Sequence, residues 1–257
     1  MPLLPESIGN LIALETLKLQ GWQALTHLPD SIARLQRLRT LDLSDCTALA
    51  KLPDRIGDLA SLTHLVVHSC EQLASLPDSF YSLARLRTSI CWQTGIATLS
   101  DSEHCLGGLA ALTDLSWGTH ELADAVRVPR SIGALQALTK LHITCSRLVS
   151  LPDSIGELQA LAALNLSCEA LGCLPESVVK LQALTSLNLN YCHALTHLPD
   201  RVGELQALTS LDLYRCYALS SLPDSILELK ALQRVQLGNC RLLVHVPEKI
   251  QKLYGGY

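Results

Sequence analysis

The sequence predicts an α/β solenoid: a right-handed coil of about ten repeats of 23–26 residues, with a concave parallel β-sheet and short helices on its convex side. Three observations carry this prediction. Leucines recur at a near-constant period along all 257 residues. Most periods contain Leu-x-x-Leu-x-Leu or an apolar variant of it, whose last pair alternates inward and outward as a strand does. Most periods also open on a Leu-Pro or Val-Pro step followed by an acid or another polar residue. Residues 199–222, PDRVGELQALTSLDLYRCYALSSL, show all three features in one coil.

With Leu211 as the reference, the equivalent residues are Leu17, Leu41, Leu65, Ser89, Leu115, Leu141, Leu164, Leu187 and Val235. Their spacings are 24, 24, 24, 26, 26, 23, 23, 24 and 24 residues, so the period holds at both ends and loosens in the middle. A solenoid grows without a central core, and one domain over 1–257 with irregular coils at about 87–128 is the expected organisation. Within a coil, Leu211 and Leu213 should enter the core, while Ser210, Asp212 and Tyr214 face outward on the sheet. The return path starts where Pro199 presets φ for a first turn and Asp200 places a negative charge at a helix N-terminus. Glu6, Asp30, Asp54, Asp78, Asp153, Glu176, Asp224 and Glu248 repeat that acid, and Arg130 departs from it. Ser154 with Glu157, and Ser225 with Glu228, read as capping boxes. One or two turns of helix per coil are expected.

Apolar residues make up 48% of the chain and aromatics 4%, so stacked leucines rather than rings must fill the interior. A net charge of −4 supplies no basic field for nucleic acid. No apolar run reaches the roughly 18–20 residues that span a bilayer, and MPLLPESIGN has no signal-peptide character, so a cytoplasmic protein without membrane attachment is expected. Seven of ten cysteines, Cys46, Cys70, Cys145, Cys168, Cys192, Cys216 and Cys240, share one coil position. Their side chains should point the same way, as reduced buried thiols and not as disulfides. Cys91 and Cys173 read as further core residues, Cys91 replacing the second strand leucine.

The pattern LPxSIGxLxxLxxLxLxxCxxLxxLP, as in LPDSIGELQALAALNLSCEALGCLP, resembles the leucine-rich repeats of plant intracellular immune receptors. It is also similar to repeats in type III effectors of plant-pathogenic bacteria, some of them ubiquitin ligases. The resemblance covers essentially the whole chain. It implies a leucine-rich-repeat horseshoe whose variable concave residues contact a protein or peptide. It is specific for fold and much less so for partner. No nucleotide-binding loop, F-box or ligase domain accompanies the repeats. The chain opens inside a repeat at Leu3-Leu4-Pro5-Glu6, which predicts either a piece of a longer protein or self-association through an uncapped terminal coil.

Two clusters stand out on the outward strand positions. The first is His64, Val66, His68, Ile90 and Trp92, at places where most coils carry Ser, Thr or Asn; either a partner or the irregular middle segment folded over them would cover this group. The second is Asn188, Asn190, Tyr191, Asp212, Tyr214, Arg215 and Arg234, with Tyr and Arg as the usual interface anchors. His142 lies on the same face. His64 and His68 are about 13 Å apart along an extended strand, too far to share a metal ion, and no cofactor is expected. Cys105 beside His104 is the one nucleophile candidate, more simply an irregular loop with a buried thiol. Trp22 and Trp117 overfill slots built for Cys or Leu.

The reading is therefore a non-enzymatic scaffold that binds a protein or peptide on its concave face. The alternative is the substrate-recognition part of a ubiquitin ligase or effector, delivered into a host cell, whose catalytic domain lies elsewhere.

Overall fold

The leucines that set the repeat are neighbours in space. The computed structural model describes residues 4–96, 99, 106–119 and 126–253, which divide into two units, Met1–Asp124 and Ala125–Tyr257. The first holds β1 (Thr16–Lys18), β2 (Thr40–Asp42), β3 (His64–Val66), β4 (Thr88–Thr94) and β5 (Asp114–Thr119). The second holds β6 (Lys140–Thr144), β7 (Ala163–Ser167), β8 (Ser186–Asn188), β9 (Ser210–Asp212) and β10 (Arg234–Gln236). In each unit the strands lie side by side in chain order, all parallel. Leu17 pairs with Leu41, Leu41 with Leu65, Leu65 with Ser89 and Ser89 with Leu115. Leu141, Leu164, Leu187, Leu211 and Val235 do the same in the second unit. The sheet register is thus the register of the sequence repeat.

Burial follows the strand alternation. Leu41, Leu43, Leu65, Val67, Leu211 and Leu213 are fully buried, while residues between them are half-exposed. Each leucine buried in this way stabilises the fold by roughly 1.5–3 kcal/mol, a contribution that neighbouring coils share.

The return segments are short 3-10 helices where helical turns were expected, for example Asp30–Arg34, Asp153–Glu157 and Asp224–Glu228. Among the described residues α-helix is confined to α1, Glu248–Gln251, and no helix is long and apolar enough to cross a membrane. In most coils the proline before the acid is the N-cap, with its carbonyl accepting the first i→i+3 bond, as from Ile226 N to Pro223 O at 3.0 Å; Arg55 and Arg201 take that place before Ile56–Asp58 and Val202–Glu204.

The capping boxes expected at Ser154 and Ser225 do not form. Both serines lie one residue inside the helix, after Pro and acid. Ser225 Oγ donates instead to Asp200 O at 2.6 Å and accepts from Gly203 N at 3.3 Å, tying its coil to the preceding one. That contact explains the glycine of the repeat: a Cβ on Gly203 would stand 2.2 Å from Ser225 O, and one on Gly57 would stand 2.0 Å from Ser79 O. The recurring Gln of LQAL works on the same side. Gln36, Gln136, Gln182 and Gln206 each donate to a carbonyl of their own coil and to one of the next coil.

The cysteines of the shared coil position are free thiols, most of them buried. Cys46, Cys70, Cys168, Cys192, Cys216 and Cys240 direct Sγ to the carbonyl of a strand-end residue one coil earlier, such as Leu189 O at 3.3 Å from Cys216. Burial pushes these thiols up, Cys70 to about 12 and Cys192 to about 11. Cys91 is buried as expected, but Cys173 is not a core residue: it is exposed, in an isolated parallel bridge to His197.

Trp117 lies in the stretch where the period loosens. Its ring is buried on β5 and its Nε1 donates to Ile96 O at 3.0 Å. The adjacent inward residue on β4 is the small Cys91, which leaves room for the indole, and the ladder bulges between Cys91 and Thr94. Trp22 stays half-buried at the cysteine position of the first coil.

Candidate partner-binding face

Strand exit is where this coil becomes unusual. After the second inward leucine the chain must turn, and in the coils whose strand is three residues long the residue before the ladder cysteine takes a left-handed backbone: φ is 60° at Asp45, 54° at Ser69, 60° at Tyr191, 62° at Arg215 and 64° at Asn239, whereas Thr144 and Ser167, before Cys145 and Cys168, continue the longer strands β6 and β7. Gly21 does so in the first coil with φ 76°. Asp, Asn and Gly tolerate this region, but Tyr and Arg pay about 1–2 kcal/mol for it. The turn is held by the residue at the strand's end. Asp42 Oδ1 accepts from Ser44 N at 3.0 Å, Asn188 Oδ1 from Asn190 N at 2.9 Å, and Asp212 Oδ1 from Tyr214 N at 2.8 Å. Asn188 and Asp212, both expected at the contact surface, therefore shape the turn that presents their neighbours. Asn190 is engaged as well, its Oδ1 accepting the Ser167 hydroxyl.

That turn brings Tyr191, Tyr214 and Arg215 together. The Tyr191 and Tyr214 rings meet edge-to-face with centroids 5.9 Å apart, and the Arg215 guanidinium lies 5.0 Å from one centroid and 5.3 Å from the other. Tyr191 is 38% exposed, so these rings are held by one another while remaining open to contact. Arg234 stands exposed at the entry of β10, opposite Ser210 and at the other end of the strand from the rings.

Sequence reasoning missed a second row. Glu169, His193, Tyr217 and Arg241 each follow a ladder cysteine. His193 Nδ1 is 3.5 Å from Glu169, its ring stacks on Tyr217 at 4.6 Å, and the Arg241 guanidinium lies 4.6 Å from the Tyr217 centroid. The signal was present in the triplets YCH, RCY and NCR, which put polar or aromatic residues on both sides of each cysteine.

The first cluster is assembled only in part. Val66 and Ile90 pair directly across β3 and β4, both half-buried, and His68 meets Trp92 edge-on at 6.4 Å. His64 is exposed and bonded through Nδ1 to Thr63 Oγ1 at 2.8 Å. Parts of the middle segment expected to cover this group, residues 97–98, 100–105 and 120–125, lie outside the described residues, His104 and Cys105 among them. His142, in the second unit, is half-buried on β6 with Nε2 3.1 Å from Thr144 Oγ1. Among the described residues no group of three His, Cys, Asp or Glu is placed to hold a metal ion.

Comparison with known proteins agrees with the coil geometry. Residues 3–147 match the family model of the leucine-rich repeat region, and residues 136–193 match that of the leucine rich repeat. No curated protein matches. Among solved structures, the chain is similar to the leucine-rich repeat domain of the type III effector XopL, with 27% identity over 96% of this chain and 80% of that one and a TM-score of 0.67. An internalin, InlF, from Listeria monocytogenes shares the fold at 15% identity over 93% and 75% of the two chains, with a TM-score of 0.55. The PEPR1–AtPEP1 structure does so at 20% identity, TM-score 0.52, over 92% of this chain and 40% of that one. With more than half its length matched by one family model and its strands in repeat register, the chain belongs to the leucine-rich repeat proteins.

Proposed function

We propose that this protein is a non-enzymatic scaffold that binds a protein or peptide on the outward face of its strands, with Tyr191, Tyr214 and Arg215 as the anchor. Leucine-rich repeat proteins are commonly protein–protein interaction modules. The observation that carries the reading is the left-handed backbone under Tyr191 and Arg215, where the coil would be cheaper with Gly, Asn or Asp. Aromatic rings and a guanidinium at such a place, mutually packed yet open, suit the anchors of an interface. Asn188, Asn190 and Asp212 hold the presenting turns, and Arg234 borders the face. His64, Val66, His68, Ile90, Trp92 and His142 form secondary contact points in this reading.

The test is affinity for a partner captured from the source cell and identified by mass spectrometry. Tyr214→Ala and Arg215→Ala are each expected to weaken binding about 30-fold, the effect of an anchor worth roughly 2 kcal/mol, while the lost ring contacts lower the melting temperature by only a few degrees. Unaltered binding by both variants removes this face.

The likeness to an effector's repeat domain favours a second reading. In it the chain is the recognition part of an effector or ubiquitin ligase acting inside a host cell, with its catalytic domain encoded beyond residues 1–257; the flanking coding sequence decides it.

A further inference from the structure

A groove of about 650 Å³ lies at the strand entries of the first unit. Its origin is readable coil by coil. The pair flanking the leucine before each strand is small or neutral in most coils: Ser61-Leu62-Thr63, Ala111-Leu112-Thr113, Ala137-Leu138-Thr139, Ala183-Leu184-Thr185 and Ala207-Leu208-Thr209. The second and fourth coils break the rule identically, with Arg37-Leu38-Arg39 and Arg85-Leu86-Arg87. Short Ser61 and Thr63 form the floor between two basic walls, and Arg39, Arg85, Arg87 and His64 line the cavity. Arg39 and Arg87 sit on either side of Thr63, two strand spacings or roughly 9.6 Å apart at the backbone.

These walls are set in place by the coil. Thr63 Oγ1 donates to Arg39 O at 3.0 Å and Thr113 Oγ1 to Arg87 O at 3.1 Å, so each arginine leaves from a pinned main chain. With its one hydroxyl proton given to Arg39 O, Thr63 Oγ1 accepts from His64 Nδ1 at 2.8 Å, which leaves Nε2 of that ring for another contact. Glu15 is the one acid lining the groove, and its carboxylate approaches Arg39 at 3.8 Å. That loose pair, 66% and 57% exposed, shows how a carboxylate enters, and it leaves Arg85 and Arg87 to bind others. A chain of net charge −4 thus keeps three guanidiniums around one cavity where its own repeat would put alanine, serine or threonine. Guanidinium forks match carboxylates in bidentate geometry.

We infer that this groove is a second docking surface and that its occupant is an acidic segment, rich in Asp or Glu, of a partner protein. It shares only the secondary contact His64 with the proposed binding face and uses none of Tyr191, Tyr214 and Arg215, so loss of the anchor and loss of the groove are read by different variants.

Fluorescence anisotropy with labelled deca-glutamate tests it, with deca-lysine and a ten-nucleotide single-stranded DNA as the other arms. Saturable binding of deca-glutamate that weakens with salt is expected, at least tenfold poorer in the Arg85→Ala/Arg87→Ala double variant and tighter in Glu15→Gln. Arg201→Ala, which removes an exposed arginine paired with Glu204 in the other unit, should leave it unchanged, as should Tyr214→Ala. Circular dichroism melts confirm that each variant is folded. No binding of deca-glutamate, equal binding by the double variant, or loss of binding in Arg201→Ala overturns the inference. Tighter binding of DNA than of deca-glutamate overturns it in favour of nucleic acid.

Discussion

In the second unit Cys192, Cys216 and Cys240 are flanked by Tyr191 and His193, Arg215 and Tyr217, and Asn239 and Arg241; in the first Cys46 and Cys70 are flanked by Asp45 and Thr47, and Ser69 and Glu71. The backbone beneath is the same, with left-handed φ values of 54–64° at the position before each of these cysteines in both units. At the strand entries the contrast reverses. There the first unit carries Arg37, Arg39, Arg85 and Arg87, and the second carries Ala and Thr. One coil has been ornamented at its exit in one unit and at its entry in the other. The difference teaches that the leucines, prolines and cysteines fix the path, while chemistry sits at positions that path leaves free.

If the two units are the same coil, equivalent core truncations must cost the same. Leu65→Ala in the first unit and Leu211→Ala in the second both remove fully buried side chains from the middle of a strand. Each is expected to lose about 2–5 kcal/mol by urea denaturation, with the pair agreeing within about 1 kcal/mol. A large gap between them would mean that the units differ in packing and not only in ornament.

The fold was legible because a repeat states its register ten times, and every strand pairing described here follows the spacing of the reference leucines. The site was legible only by half. Tyr191, Tyr214 and Arg215 stand out as departures from the coil, but their contact depends on a left-handed turn that no residue type announces, since Asp45, Ser69 and Arg215 all adopt it. Asn188 and Asp212 looked like surface groups because a strand alternation points them outward; their hydrogen bonds to the turn act on the main chain two residues on, outside that pattern. The failed capping boxes have the same origin. The serine spacing was right for an α-helix, and the 3-10 start on proline moved the cap by two residues.

The strain argument is tested by exchanging ornaments. Asp45→Tyr puts a ring on a left-handed residue without the neighbours that Tyr191 enjoys, and should cost about 1–2 kcal/mol. Tyr191→Asn relieves the same backbone while giving up an edge-to-face contact and a cation–π contact, each worth roughly 0.5–1 kcal/mol. The two effects offset, so its stability should stay within about 1 kcal/mol of the parent while partner binding falls. A neutral Asp45→Tyr would break the claim that the backbone, and not the rings, sets this cost.

The smallest expected effect concerns what the units share, the thiol ladder. Cys70 in the first unit and Cys192 and Cys240 in the second are held up, to about 12, 11 and 11, chiefly by burial, which disfavours the thiolate. At pH 8.5 a thiol of pKa about 11 is ionised to roughly 0.3% and one of about 12 to roughly 0.03%, and only the thiolate attacks an alkylating reagent. Cys173, exposed beside the bridge to His197, should therefore react with iodoacetamide in the folded protein well before Cys70, Cys192 or Cys240, as peptide mass spectrometry would read. The sign of the pH dependence follows from the same shift. Unfolded thiols ionise near pH 8.5, so the ladder's contribution to stability is whole below that value and is lost as pH climbs through 11 and 12. Equal labelling of Cys70 and Cys173 at pH 8.5 would show that the first unit opens readily at its cysteine position. The shared coil would then be closed in only one of the two units.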